Sequence, residues 1–203
     1  QTWAIADPAV DYFRAVNVDN DRTVKELLAG GFDPNTPNDK GQVGLYLAVK
    51  EESWKVAATL LAHPAIRIDA TTTADETPLM MAALRGQLDS TQRLLARGAA
   101  VNRPGWTPLH YAATHGHIAI INLLLENHAY IDAESPNGST PLMMAAQYGT
   151  AAAVKLLLES GADPLLKNQL GLTAIDFAQR ANRTDSAALV AAFVRAKQPK
   201  RAW

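Results

Sequence analysis

Thr77-Pro78-Leu79-Met80-Met81-Ala82-Ala83 returns as Thr107-Pro108-Leu109-His110-Tyr111-Ala112-Ala113 and again as Thr140-Pro141-Leu142-Met143-Met144-Ala145-Ala146. Each copy is followed at one fixed distance by a leucine pair: Leu94-Leu95, Leu124-Leu125 and Leu157-Leu158. Sliding the template backward finds Ala48 with Leu60-Leu61, then Ala15 with Leu27-Leu28; sliding it forward finds Ala178 with Val190-Ala191. The small residue therefore falls at 15, 48, 82, 112, 145 and 178, in steps of 33, 34, 30, 33 and 33. Six units in one phase define a repeat protein.

Each unit reads as helix, turn, helix and an extended excursion. Threonine is a good N-cap because its hydroxyl accepts from an orphan amide of the first turn. Proline beside it suits the first helical position, where a missing N–H costs nothing. The alanine pair lets the first helices of neighbouring units approach closely, and the leucine pair fills the wider spacing between second helices. Gly31, Gly98 and Gly161 stop the second helix in units one, three and five, as a left-handed terminating residue requires. Turn-rich stretches follow them: Phe32-Asp33-Pro34-Asn35, Ala99-Ala100-Val101-Asn102 and Ala162-Asp163-Pro164-Leu165.

These residues resemble the ankyrin repeat, a unit of about 33 residues that opens on Thr-Pro-Leu-His. Unit four carries the pattern best, with Gly105-Trp106-Thr107-Pro108-Leu109-His110 followed by His115-Gly116-His117-Ile118. The resemblance spans roughly residues 10–195. It implies an all-α repeat solenoid: stacked helix-turn-helix units with β-hairpin fingers projecting from them. The expected organisation is a single domain over 1–200, with units at about 6–38, 39–72, 73–102, 103–135, 136–168 and 169–196 and a basic tail at 197–203. The tail is expected to be a solvated terminus.

Departures from the pattern carry expectations of their own. Three residues are missing between Asn102 and Gly105, where a finger belongs, so that finger should be truncated. Pro64 occupies the glycine position of unit two, so its second helix should end before the proline. The opening there has decayed to Val43-Gly44-Leu45-Tyr46, and in unit six to Thr173-Ala174-Ile175-Asp176, where Asp176 cannot donate as histidine does. His128 replaces a glycine and should take the left-handed conformation at modest strain. Asn137-Gly138 reads as a finger turn with positive φ angles.

Composition narrows the function. With 19 Lys+Arg against 20 Asp+Glu, the chain lacks the cationic excess that nucleic acid or an anionic membrane surface rewards. No apolar run approaches the ~20 residues needed to span a bilayer. The absence of cysteine excludes disulfides, thiolate metal sites and cysteine nucleophiles. A start at Gln1 together with the lack of cysteine fits an exported, periplasmic, bacterial-type protein, with a cytoplasmic one as the alternative.

No reaction is suggested by the side chains. There is no nucleophile elbow and no phosphate-cradling glycine loop, and Glu51-Glu52, read as adjacent on a helix, point apart. His110, His115 and His117 invite a metal, but the resemblance gives His110 and His117 structural hydrogen bonds, leaving His115 alone. No cofactor and no metal ligand is assigned, and a monomer that is not an enzyme is expected. The alternative is a small-ligand or metal-binding accessory protein built around His115, in a periplasmic stress role.

In the family resembled, partners dock on a concave face made of finger tips and first helices. Two sets of positions point there by register. Before each threonine lie Gln42, Glu76, Trp106, Ser139 and Leu172; after each alanine pair lie Lys50-Glu51, Leu84-Arg85, Thr114-His115 and Gln147-Tyr148. Large apolar groups at such sites are not needed by the fold, and Trp, Tyr and Arg often anchor interfaces. The candidate partner-binding residues are therefore Trp106, Tyr148, His115, Arg85, Leu84, Leu172, Lys50 and Gln147. For Trp106 and Leu84, packing against the neighbouring repeat is the competing reading. The methionine pairs lie in core register.

Overall fold

The structure, a computed structural model, describes residues 7–197. Among these the chain divides into two compact units, the first ending at Ala100 and the second starting at Val101. The first holds α1 (Pro8–Asn17), α2 (Asp21–Ala29), α3 (Gly44–Lys50), α4 (Trp54–Ala62), α5 (Pro78–Arg85) and α6 (Leu88–Ala96). The second holds α7 (Pro108–His115), α8 (Ile118–Glu126), α9 (Pro141–Tyr148), α10 (Ala151–Glu159), α11 (Ala174–Arg180) and α12 (Thr184–Lys197).

Both units stack in the same way. In the first, α3 packs between α1 and α5 while α4 packs between α2 and α6; in the second, α9 lies between α7 and α11, and α10 between α8 and α12. Small residues make the inner row. Ala48, Ala82 and Ala83 in the first unit, and Ala112, Ala113, Ala145 and Ala146 in the second, are all fully buried. The outer row is filled by Leu60 and Leu94, and by Leu124, Leu157 and Ile121. Fully burying one such leucine contributes about 2 kcal/mol, so each seam between repeats rests on a few side chains.

The helix starts follow the sequence closely. Thr77 Oγ1 accepts from the Met80 amide at 3.2 Å while Met80 Sδ accepts from the Thr77 amide at 3.4 Å, and Thr140 with Met143 repeats the arrangement. Asp176 accepts both the amide and the hydroxyl of Thr173, at 2.7 and 2.8 Å, so it caps its own helix. The decayed opening at Val43-Gly44 has a packing cause. A Cβ on Gly44 would lie 2.0 Å from the hydroxyl of Tyr12, which is fully buried and donates to the Pro34 carbonyl.

Helix ends behave likewise. Gly31, Gly98 and Gly161 have φ of 90°, 81° and 105°, and His128 takes the same left-handed conformation at 65°. The α4 helix stops at Ala62, with His63 extended ahead of Pro64. Beyond α2, α4, α6 and α8 an Asn or Asp ties one repeat to the next. Asn35 donates to Ala65 O and accepts from Arg67 N, and Asp69 accepts from Ala100 N. In the second unit Asn102 donates to His128 O and accepts from Tyr130 N, and Asp132 accepts from Asp163 N.

Three expectations need correction. Glu51 and Glu52 are not on a helix: α3 ends at Lys50, and Glu52 turns away with φ 60°. In Asn137-Gly138 only the glycine has positive φ. The fingers, expected as β-hairpins, are closed turns with no strand among the described residues, only an isolated bridge between Pro37 and Val43. They are too short to pair further. The basic tail lies outside the described residues beyond Lys197.

Candidate functional site

Four finger tips share one geometry. In 38–42, 72–76, 135–139 and 168–172 the first amide donates to the last carbonyl and the fourth amide to the first carbonyl, at 2.8–3.0 Å. The fourth residue is left-handed in every case: Gly41, Asp75, Gly138 and Gly171. This is a turn followed by one left-handed residue, the connection of a tight hairpin, and at 38–42 it is extended by the Pro37–Val43 bridge. At Val101–Trp106 the chain runs through bends and lacks this pair of bonds, as the three missing residues require.

In the first unit Lys50 is half-buried at the end of α3, and Leu84 and Arg85 close α5, the leucine half-buried and the arginine exposed. Glu76, at the neighbouring finger, accepts from the Tyr46 hydroxyl at 2.6 Å. In the second unit His115 is exposed at the end of α7, and the adjacent α9 ends in half-buried Gln147 and Tyr148, which is 56% exposed. Leu172 is half-buried on its finger. Trp106 is also half-buried, its ring edge-on to His110 at 5.3 Å between centroids and 6.4 Å from Tyr111. Packing thus takes part of the Trp106 surface. Both methionine pairs are core, although Met144 is only half-buried.

Register points Ser139 to the solvent face, yet it is buried at 1% exposure. The reason is His110. Its Nδ1 accepts from the Thr107 amide at 3.2 Å, which fixes the tautomer so that Nε2–H donates to the Ser139 carbonyl at 2.9 Å. Burial pushes the imidazole pKa down to about 4, so the ring is neutral. It is a structural tie between two repeats and carries no exposed chemistry.

Sequence reasoning missed three exposed apolar side chains of this unit: Leu170, Tyr130 and Leu165. Leu170, 77% exposed, had a signal. Its counterparts at the other tips are Lys40, Ala74 and Asn137, so a leucine there is out of character with a turn. His115 and His117 lie with rings nearly parallel and centroids 5.8 Å apart. Among the described residues no group of three or more metal-ligating side chains converges. No helix among them is long and apolar enough to cross a membrane.

Known proteins agree with the geometry. A sequence profile described as ankyrin repeats (3 copies) matches residues 12–104 and again 45–135, and one described as ankyrin repeats (many copies) matches 128–178. Among curated relatives, a putative palmitoyltransferase ZDHHC13 of Danio rerio is 33% identical over 57% of this chain and 18% of its own length. An ankyrin repeat and SAM domain-containing protein 6 of Rattus norvegicus is 30% identical over 52% of this chain and 12% of its own. The chain thus spans less than a fifth of the relatives it matches. Among solved structures, the human ASB11 ankyrin repeat domain superposes with a TM-score of 0.81 at 26% identity, over 94% of this chain and 85% of that one. A chain from the complex of a predatory endopeptidase of Bdellovibrio bacteriovorus with an immunity protein gives 0.78 at 26% identity, over 90% and 97%. Ankyrin repeats are in general modules of protein–protein interaction, and their fold is typically a non-catalytic scaffold. The phased openings, the stacked helix pairs and these matches together place the chain in the ankyrin repeat family.

Proposed function

We propose that the chain is a non-catalytic docking module that binds a partner protein through its finger tips and first-helix ends. In the first unit the contacting residues are Lys50, Leu84 and Arg85; in the second they are Trp106, His115, Gln147, Tyr148 and Leu172. The observation that carries this reading is Tyr148. A tyrosine ring more than half exposed closes a helix whose other residues are buried or half-buried. Stacking of α9 on its neighbours does not use it. Tyrosine on a rigid support is a common interface anchor, because little ordering entropy is lost on binding.

The test is affinity capture with the immobilised full chain, followed by the same capture with Tyr148→Ala and with Arg93→Ala, an exposed residue on α6. A specific protein retained by the parent chain and by Arg93→Ala, but lost from Tyr148→Ala, supports the reading. Capture that Tyr148→Ala leaves untouched overturns it.

A further inference from the structure

The finger 168–172 is held both from its neighbour and from within. Gln169 donates from its backbone amide to Asn137 O at 3.0 Å and from Nε2 to Pro136 O at 2.9 Å, fastening this tip to the one before it. Asn168 Oδ1 accepts the amides of Leu170 and Leu172, at 3.0 and 3.1 Å. On this fixed platform Leu170 is the most exposed large apolar side chain among the described residues. No turn geometry calls for a leucine there.

Charge accompanies it. Lys167 precedes the finger and Arg180 ends α11, both exposed, and both lie near enough to Asp176 to hold its carboxyl further below the usual range. The main cause of that lowering is the Thr173 amide, so the carboxylate is committed to capping. Two cations thus face one engaged anion. Across the other candidate positions of this unit, 114–115, 135–139 and 147–148, there is no acid, and Glu134 is the one carboxylate flanking those tips.

We infer that this end of the second unit selects an acidic protein segment, with Leu170 inserted among apolar side chains of the partner and Lys167 and Arg180 meeting its carboxylates. The inference rests on the docking function proposed above and names the chemistry of the partner. Opposite charge steers encounter and rejects like-charged segments, while a preorganised apolar anchor holds the complex.

The test uses the full chain and a displayed library of random linear peptides. Selected peptides should be enriched in Asp and Glu beside leucine or aromatic residues. A synthetic copy should bind about tenfold more weakly to the double variant Lys167→Glu/Arg180→Glu and about tenfold more weakly to Leu170→Ala, with the charge effect shrinking as salt rises. Lys167→Gln/Arg180→Gln, which adds no repulsion beside Asp176, should show an intermediate loss, and circular dichroism should report an unchanged fold. Peptides that need Tyr148 and Leu170 but are neutral or basic overturn the acidic partner and leave the docking function standing. Binding indifferent to Tyr148 and Leu170 overturns both. Tight binding of a single-stranded oligonucleotide, abolished by the same charge reversal, overturns the protein partner. Failure to select any binder overturns the inference.

Discussion

The two units are built on one plan and surfaced differently. Each stacks three helix pairs with alanines in the inner row and leucines in the outer, and each joins its repeats through Asn or Asp side chains. Their helix starts already diverge. In the second unit the threonine amide of every opening is bound by the side chain three residues on, Thr107 by His110, Thr140 by Met143 and Thr173 by Asp176, whereas the first unit has this only at Thr77, with Met80. Surfaces diverge further. The first unit mixes charges at its tips and helix ends, with Asp39, Lys40, Lys50, Glu51, Asp75, Glu76 and Arg85. The second presents Tyr148, Leu170 and Arg180, without an acid at the matching positions. Stacking consumes a fixed subset of positions in every repeat, and the remainder are free to specify a partner.

The shared plan breaks most severely at glycines whose added Cβ would collide with a neighbour, Gly149 and Gly44 among them. Gly149→Ala would set a Cβ 2.4 Å from Ala113 O and 2.9 Å from Ala145 O, both backbone atoms that cannot swing aside. Overpacking of this kind costs about 3 kcal/mol, and urea unfolding should report it. Gly44→Ala, which meets the Tyr12 side chain, should cost somewhat less because a ring can shift.

Next comes the His110 tie, present only in the second unit. The unfolded imidazole titrates near its ordinary 6.5, and the folded one at about 4. Between those values the unfolded chain binds a proton that the native chain does not, so stability falls as pH drops through that window and levels off below it. The contribution amounts to about 3 kcal/mol at the acid end. His110→Met, copying Met80 and Met143, should keep the opening and flatten this part of the pH profile in chemical denaturation. An unchanged profile would show that His110 is not the group responsible.

The inter-repeat bonds sharpen the comparison more gently. Asp132→Ala removes the acceptor for the Asp163 amide, and Asp69→Ala does the same for Ala100 in the first unit. Each should cost about 1 kcal/mol by thermal unfolding, and their near equality would confirm one plan in both units.

The repeated openings made the helices legible, because threonine, proline, alanine and leucine each act locally in capping, starting or packing a helix. The shortened tip at Asn102–Gly105 was legible for the same reason: a finger cannot close on missing residues. Exposure was harder. Register alone put Ser139 on the surface, but its neighbours His110 and Asn168 cover it from either side. Leu170 went unnoticed because the template weighs the residue before threonine and not the tip, although its counterparts Lys40, Ala74 and Asn137 marked it as unusual. The cost of Gly44→Ala depends on Tyr12, 32 positions away, and no local pattern reports such a contact.

The central claim is that residues unused by stacking do the binding, and Tyr148→Ala tests it most directly when affinity and melting are measured on one preparation. Affinity for the captured partner should fall about tenfold or more while the melting temperature moves by no more than about 2 °C. Loss of both together would make Tyr148 a packing residue, and unchanged affinity would remove it from the docking surface.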